Sequence, residues 1–287
     1  MNAFSRSWSL TKLSFRVIGQ DKELLLFPLI AMFLSVGYLL ALLFPTILLE
    51  LSRNGSVEWT VADYIITFIA YLGLSFIGTF SNMCVVYTAK VRFAGGNATF
   101  GESLGFTFKR IHQVLGWAAV SATVGLVFHA IDQAASKAGA IGKIVVGIVR
   151  ALLGAVWSAI TLFVIPSMVY RGTGPIDAIK DSVRVLRKTW GESLIGSLGF
   201  GLVQFLFVLL GVGVFGGAFA GLISMNAGSG PMIAIIVLAV VYFVGLTFAF
   251  LLARMIFNTA LYAYASEGTV ALGYDRELLQ SAFRTNA

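Results

Sequence analysis

The sequence predicts an all-α, polytopic membrane protein: six transmembrane helices with three amphipathic helices on the cytoplasmic side. Composition is the first reason. Apolar residues make up 58 % of the 287 and charged residues only 11 %, with a mean hydropathy of +0.90. A soluble domain carries roughly a quarter of its residues charged, so lipid must be the main solvent here. The second reason is length: six apolar stretches reach the roughly 20 residues that a hydrocarbon core about 30 Å thick demands. The third is that the cations gather on alternate connections.

The six stretches run from Leu24 to Leu49, Val61 to Tyr87, Val114 to Ile131, Ile144 to Tyr170, Leu194 to Ile223 and Met232 to Ala253. The first is too long for a cleavable signal core, and no A-x-A site closes it, so it reads as a retained span. The third is short and carries His129 near its end. The fifth is long enough to tilt, or to break at its glycines.

Orientation follows from Lys and Arg in the flanks. Placing the amino terminus inside puts fifteen cations in the inner segments, four within residues 1–23, four within 90–110, five within 171–188 and two in the tail. The outer connections hold three, Arg53, Lys137 and Lys143, while Arg150 and Arg254 lie at span ends. That imbalance predicts both termini in the cytoplasm, and it supports an even number of spans. The whole chain, 1–287, reads as one integral membrane domain.

Helical spacing marks the inner connections. Ile176, Ile179, Val183, Leu186 and Trp190 recur every three or four residues, with Asp177, Lys180, Asp181, Arg184, Arg187 and Lys188 on the other face. Gly174 and Pro175 start this helix, with proline at its first position. Phe4, Trp8, Thr11, Phe15 and Ile18 repeat the rhythm beside Arg6, Lys12 and Arg16. Phe100, Leu104, Phe108 and Ile111 form a third copy, opened by a capping box of Thr99 and Glu102. Lys12 to Val17 aligns with Lys180 to Val185, and Glu102 to Leu104 with Asp181 to Val183. The pattern suggests three parallel units, about 1–95, 96–172 and 173–265, followed by a tail, 266–287.

The basic faces, Lys12 and Arg16, Lys109 and Arg110, and Arg184, Arg187 and Lys188, are candidate sites for anionic lipid headgroups. A net charge of +7 would suggest nucleic acid on a soluble protein, but between apolar runs it serves topology and lipid. No nucleic-acid partner is expected. Gly213, Gly217 and Gly221, and Gly147, Ala151, Ala155 and Ala159, form small-residue stripes suited to close helix packing, within the chain or against a partner or second copy. His129, Asp132 and Arg150 are candidates for an intramembrane polar cluster, with Asp63 another ionisable group near an outer span end. Arg150 snorkelling to the headgroups is the plainer alternative.

Catalytic patterns fail. Gly211, Gly213 and Gly216 satisfy GxGxxG, but inside an apolar span where no pyrophosphate is solvated. His112 and His129 lie outside any HExxH motif, and Cys84 is the single cysteine, a packing residue without CxxC. Asn54 to Ser56 is a sequon on the outer side, whereas Asn97 to Thr99 is inner and explained by capping. No cofactor, no metal and no enzymatic activity are expected.

Asp21, Lys22 and Glu23 ahead of Phe27 and Pro28, preceded by Ser7, Trp8, Leu10 and Ser14 to Val17, resemble the opening of a prokaryotic six-span family known as domain of unknown function 6159. The resemblance implies a six-span protein of this length in the cytoplasmic membrane of a prokaryote, with coverage of nearly the whole chain. It brings no site residues. The expected function is a non-enzymatic scaffold or lipid-handling protein. A transporter or channel running between the three units is the alternative, with a polar path recruiting Asn82, Gln204 and Asn258.

Overall fold

In the computed structural model, residues 12–19, 21, 23–52, 61–137 and 139–271 are described, and all their regular structure is helical. Residues 12–19 form α1, followed by α2 (Glu23–Ser52), α3 (Val61–Phe93), α4 (Phe100–Phe108) and α5 (Ile111–Lys137). Then come α6 (Ala140–Ile160), α7 (Val164–Arg171), α8 (Pro175–Lys188), α9 (Trp190–Ser224) and α10 (Ser229–Glu267). Phe4, Trp8, Lys22, Arg53, the Asn54 sequon, Arg276, Arg284 and the Trp190 side chain lie outside this description.

Among the described residues, six helical stretches are long and apolar enough to cross a membrane: Glu23–Phe44, Val61–Phe93, Ile111–Ala135, Gly142–Arg171, Phe200–Ser224 and Ser229–Glu267. They match the six apolar runs of the sequence, with longer ends at the second, third and sixth. Asp132 therefore lies inside the third helix rather than after it. The fifth span is unbroken in spite of its glycines. The fourth is the broken one, as described below.

The second span, α3, is the hub: it packs along α2 and α5 and also meets α4, α7 and α10. The helix α9 rests chiefly on α10, and α6 on α5. Short helices α1, α4, α7 and α8 all lie at the end of the bundle reached by Phe93, Ile111 and Glu267, here called the foot.

Burial is concentrated at the foot. In α3 it begins at Thr79, in α10 at Phe250 and in the fourth span at Phe163. In α9 it stops at Val203 apart from Gly211. Counted from the far end of each span, these residues stand roughly 20 positions in, the length that crosses the hydrocarbon core. Apolar side chains above that level point outward, as lipid permits, and those below it close on one another. Phe200, Phe257, Leu252, Leu24 and Phe163 share one core there.

The short helices bury faces that follow their apolar spacing only in part: Ile18 and Leu186 are enclosed and Phe100, Leu104 and Ile179 pack against the core. On α8 the enclosed side is Ala178, Asp181, Ser182, Val185 and Leu186, while Ile176 is 57 % exposed. Asp181, assigned by the sequence to the solvated face, is inside. On α4, Ser103 and Thr107 are enclosed and Phe108 faces out. Hydrophobic spacing cannot distinguish a side turned to lipid from one turned to protein. Small hydroxyl residues win the protein side because they let helices approach and can bond across. Ser103 and Thr88 pair at 2.7 Å, and Ser182 accepts the Phe163 N–H at 3.0 Å. Ser14, which aligns with both serines, is equally enclosed on α1. Helix starts agree with the sequence: Gly174 precedes Pro175 at the first turn of α8, and the Thr99–Glu102 capping box is complete.

Candidate functional site

The most distinctive local feature is the break between α6 and α7 at Thr161 to Phe163. Pro166 is its cause. A proline ring clashes with the carbonyl four residues earlier, here Leu162, and has no N–H to donate. Placed in the first turn of a new helix it costs nothing, so the chain ends α6 at Ile160 and restarts at Val164. Ile165, at the second position of α7, finds no backbone acceptor for its N–H among the described residues.

Beside this break lies a cavity of about 300 Å³. The junction contributes Thr161, Leu162, Ile165 and Pro166, α3 contributes Asn82 and Val86, and Trp117 of α5 closes one side. The fourth wall is α10, with Leu251, Arg254, Met255 and Asn258. Leu251 is half exposed on the apolar flank, so the cavity opens sideways there. Trp117 is held flat by stacking on Trp157, centroids 5.9 Å apart.

Arg254 sets the electrostatics. Its Nε is sealed from solvent and has no hydrogen-bond partner among the described residues. Asn258 stands one turn further along the same helix and is 8 % exposed, and Asn82 faces it from α3. The Thr161 hydroxyl donates to the Trp157 carbonyl at 2.7 Å and retains acceptor capacity. Of the three amides expected to line a path, Asn82 and Asn258 meet here, and Gln204 is not part of the lining.

Two walls of the cavity are tied together by an anionic hub on the opposite side. The Asp181 carboxylate of α8 receives the Tyr262 hydroxyl at 2.6 Å and the Ser167 hydroxyl at 2.8 Å. Arg171 pairs with it at 3.0 Å, and Arg184 at 3.4 Å. Four groups on α7, α8 and α10 thus converge on one enclosed carboxylate. A second joint holds the start of α2 to the end of α3. Arg92 bridges Asp21 at 3.1 Å and the Asn97 side chain at 2.8 Å.

The remaining sequence candidates distribute as follows. Lys12, Arg16, Lys109, Arg184, Arg187 and Lys188 are exposed at the foot, and Arg110 is half-buried over the Phe106 ring at 3.8 Å. Near the far end, Asp132 and Arg150 do meet, at 3.5 Å, and Arg150 lies over Phe128 at 4.0 Å. His129 joins instead a chain in which Gln133 contacts it at 3.2 Å and accepts from Tyr64 at 3.0 Å. Among the described residues the two small-residue stripes face outward except at Ala159, which packs against the core: a Cβ at Gly213, Gly217, Gly221 or Gly147 would meet nothing, and Ala151 and Ala155 are exposed. Close approach uses other glycines, Gly73 under the Tyr38 ring and Gly211 under the Tyr242 ring. Cys84 is enclosed, 3.2 Å from the Thr107 hydroxyl. No group of three potential metal ligands occurs among the described residues.

Sequence reading missed Arg254 as a site residue because it sat at a span end; Pro166, read as part of a continuous span, was the available sign of the break. A family model, described as a family of unknown function, DUF6159, matches residues 61–272, nearly three quarters of the chain. The chain belongs to that family. The match takes in the cavity and the Asp181 hub. It does not include residues 1–60, where the opening motif carried the resemblance. No curated relative and no solved structure matches the chain.

Proposed function

We propose that this DUF6159 member is a non-enzymatic, lipid-handling protein of the prokaryotic cytoplasmic membrane, with both termini and the foot in the cytoplasm. One observation carries the reading: six of the seven candidate headgroup cations stand exposed on α1, α8 and the short turn after α4, all at the foot. Each sits on or beside a helix whose opposite face is fixed to the bundle. A basic residue near an anionic leaflet contributes about 1 kcal/mol, so such a rim favours an anionic lipid surface without any moving part. The enclosed serines Ser14, Ser103 and Ser182 support reading α1, α4 and α8 as equivalent parts of three units. In reconstituted vesicles, R184Q/R187Q/K188Q should weaken protection of the 172–190 segment from protease on anionic but not neutral lipid. Equal protection on both lipids, before and after substitution, would remove the reading.

The outward small-residue stripes at Gly213, Gly217 and Gly221 and at Gly147, Ala151 and Ala155 suit a second copy or another membrane helix. A second functional reading, a transporter, is favoured by the break in span four beside Asn82 and Asn258, since interrupted spans expose backbone groups to a substrate. Solute flux into proteoliposomes that N82A/N258A abolishes would favour it over lipid handling.

A further inference from the structure

We infer that the cavity bounded by Asn82, Thr161, Arg254 and Asn258 is a binding site for the phosphate of one anionic phospholipid, which enters sideways between the broken fourth span and α10. The inference does not depend on the basic rim, whose cations lie on other surfaces.

Arg254 carries a charge with no ion-pair partner among the described residues, where every aspartate or glutamate that forms an ion pair does so with another cation. An ionised group withdrawn from water and left uncompensated is costly. Snorkelling would relieve that cost by carrying the guanidinium out to water. Here the Nε is sealed and the side chain, part-exposed as a whole, lines the cavity, so its terminal amino groups are at hand for a ligand there. A visiting anion would pair with them.

Donor chemistry narrows the anion. A guanidinium presents paired N–H groups that fit phosphate oxygens side by side. Asn82 and Asn258 can each add an amide donor, and among the described residues no carboxylate lines the cavity to repel a negative ligand. The other walls, Val86, Leu162, Ile165, Leu251 and Met255, are apolar. A phosphate joined to a greasy body satisfies both halves of that lining better than a bare ion would.

Depth and access select a lipid. Arg254 follows Ser229 by 25 positions along unbroken α10, roughly 37 Å at 1.5 Å per residue. A hydrocarbon core about 30 Å thick puts it at the headgroup level of the leaflet on the foot side. Above it, α6 packs on α5 rather than along α10, and Leu251 at the rim is exposed to the flank. A lipid can therefore slide its phosphate in while its tails stay among the outward apolar residues.

The test uses the full-length protein in phosphatidylcholine nanodiscs, titrated with phosphatidylglycerol and read by native mass spectrometry. Wild type should retain one phosphatidylglycerol that excess inorganic phosphate does not displace. R254Q should weaken that retention about tenfold or more, the scale of a lost charge-assisted pair, with N82A/N258A losing less. R184Q/R187Q/K188Q should leave this single tight lipid in place, which separates the cavity from the rim. Should R254Q fail to fold, R254K, which keeps the charge but loses the paired donors, is expected to show partial loss. Unchanged retention in folded R254Q or R254K, or displacement by inorganic phosphate, would overturn the assignment.

Discussion

Val241 on α10 is 64 % exposed, whereas Tyr262, about six turns further along the same helix, is completely enclosed. The same contrast recurs in α3 and α9, and it separates two regions governed by different solvents. In the far halves an outward Leu, Val or Ile loses nothing, because lipid is as apolar as a neighbouring helix. Helices there touch through a few aromatic-on-glycine contacts, such as Tyr38 over Gly73 and Tyr242 over Gly211. At the foot, water and headgroups restore the hydrophobic drive. Polar groups there must also find partners, and the result is a closed core threaded by the Asp181 and Asp21 joints.

The contrast predicts unequal sensitivity to substitution. The largest effect belongs to Asp181→Ala, which leaves Arg171, Ser167 and Tyr262 without their acceptor. Arg171 and Arg184 are themselves exposed, so the cost is that of the stranded Ser167 and Tyr262 hydroxyls, about 1–3 kcal/mol each, and thermal unfolding in detergent should show it. A loss below about 1 kcal/mol would mean that the hub behaves like a surface pair, and the distinction between regions would weaken. Tyr262→Phe removes one short hydrogen bond to the same carboxylate and should cost about 1.5–3 kcal/mol in the same assay, with little disturbance of packing.

Substitutions in the far halves sharpen the comparison. Gly211→Ala places a methyl group against the Tyr242 ring and should destabilise by about 1–3 kcal/mol. Gly217→Ala, which meets nothing, should leave the unfolding of the single chain unchanged. A shift in oligomeric state with Gly217→Ile, read by light scattering, would show that the stripe packs between copies. Asp132→Asn loosens a half-exposed pair with Arg150 and should shift stability by less than about 1 kcal/mol.

The smallest effect concerns the capping box, where hydrogen bonds from Thr99 hold the Glu102 carboxyl below the usual carboxylate range. A depressed carboxylate stabilises the folded state above its unfolded pKa, about 4.3, and that contribution fades as pH falls through the lower folded value. Glu102→Gln should therefore cost a little helix stability at neutral pH, measured by hydrogen exchange at α4, and abolish the slight acid-side loss.

What the sequence disclosed follows from the same two solvents. Six spans were legible because apolar runs of membrane length are unmistakable, and the Thr99 and Pro175 starts because capping is local chemistry. The face that α8 buries was legible only in part. Asp181 reads as solvated until Arg171, Ser167 and Tyr262, distant along the chain, are brought around it. The break at Thr161 was marked only by Pro166, which a hydropathy run absorbs without trace. Asn82 and Asn258 could be named as polar residues in the inner half, but only the fold joins them across a cavity and sets Arg254 between them.

The central claim is that the membrane boundary runs where burial begins, with outward side chains above it in hydrocarbon and the foot below it in headgroups and water. Spin labels at Val241→Cys and Arg184→Cys, in a Cys84→Ala background and reconstituted in bilayers, test it most directly. Collisions with oxygen should dominate at position 241, and collisions with a water-soluble nickel chelate at position 184. Chelate access at 241 equal to that at 184 would contradict the placement.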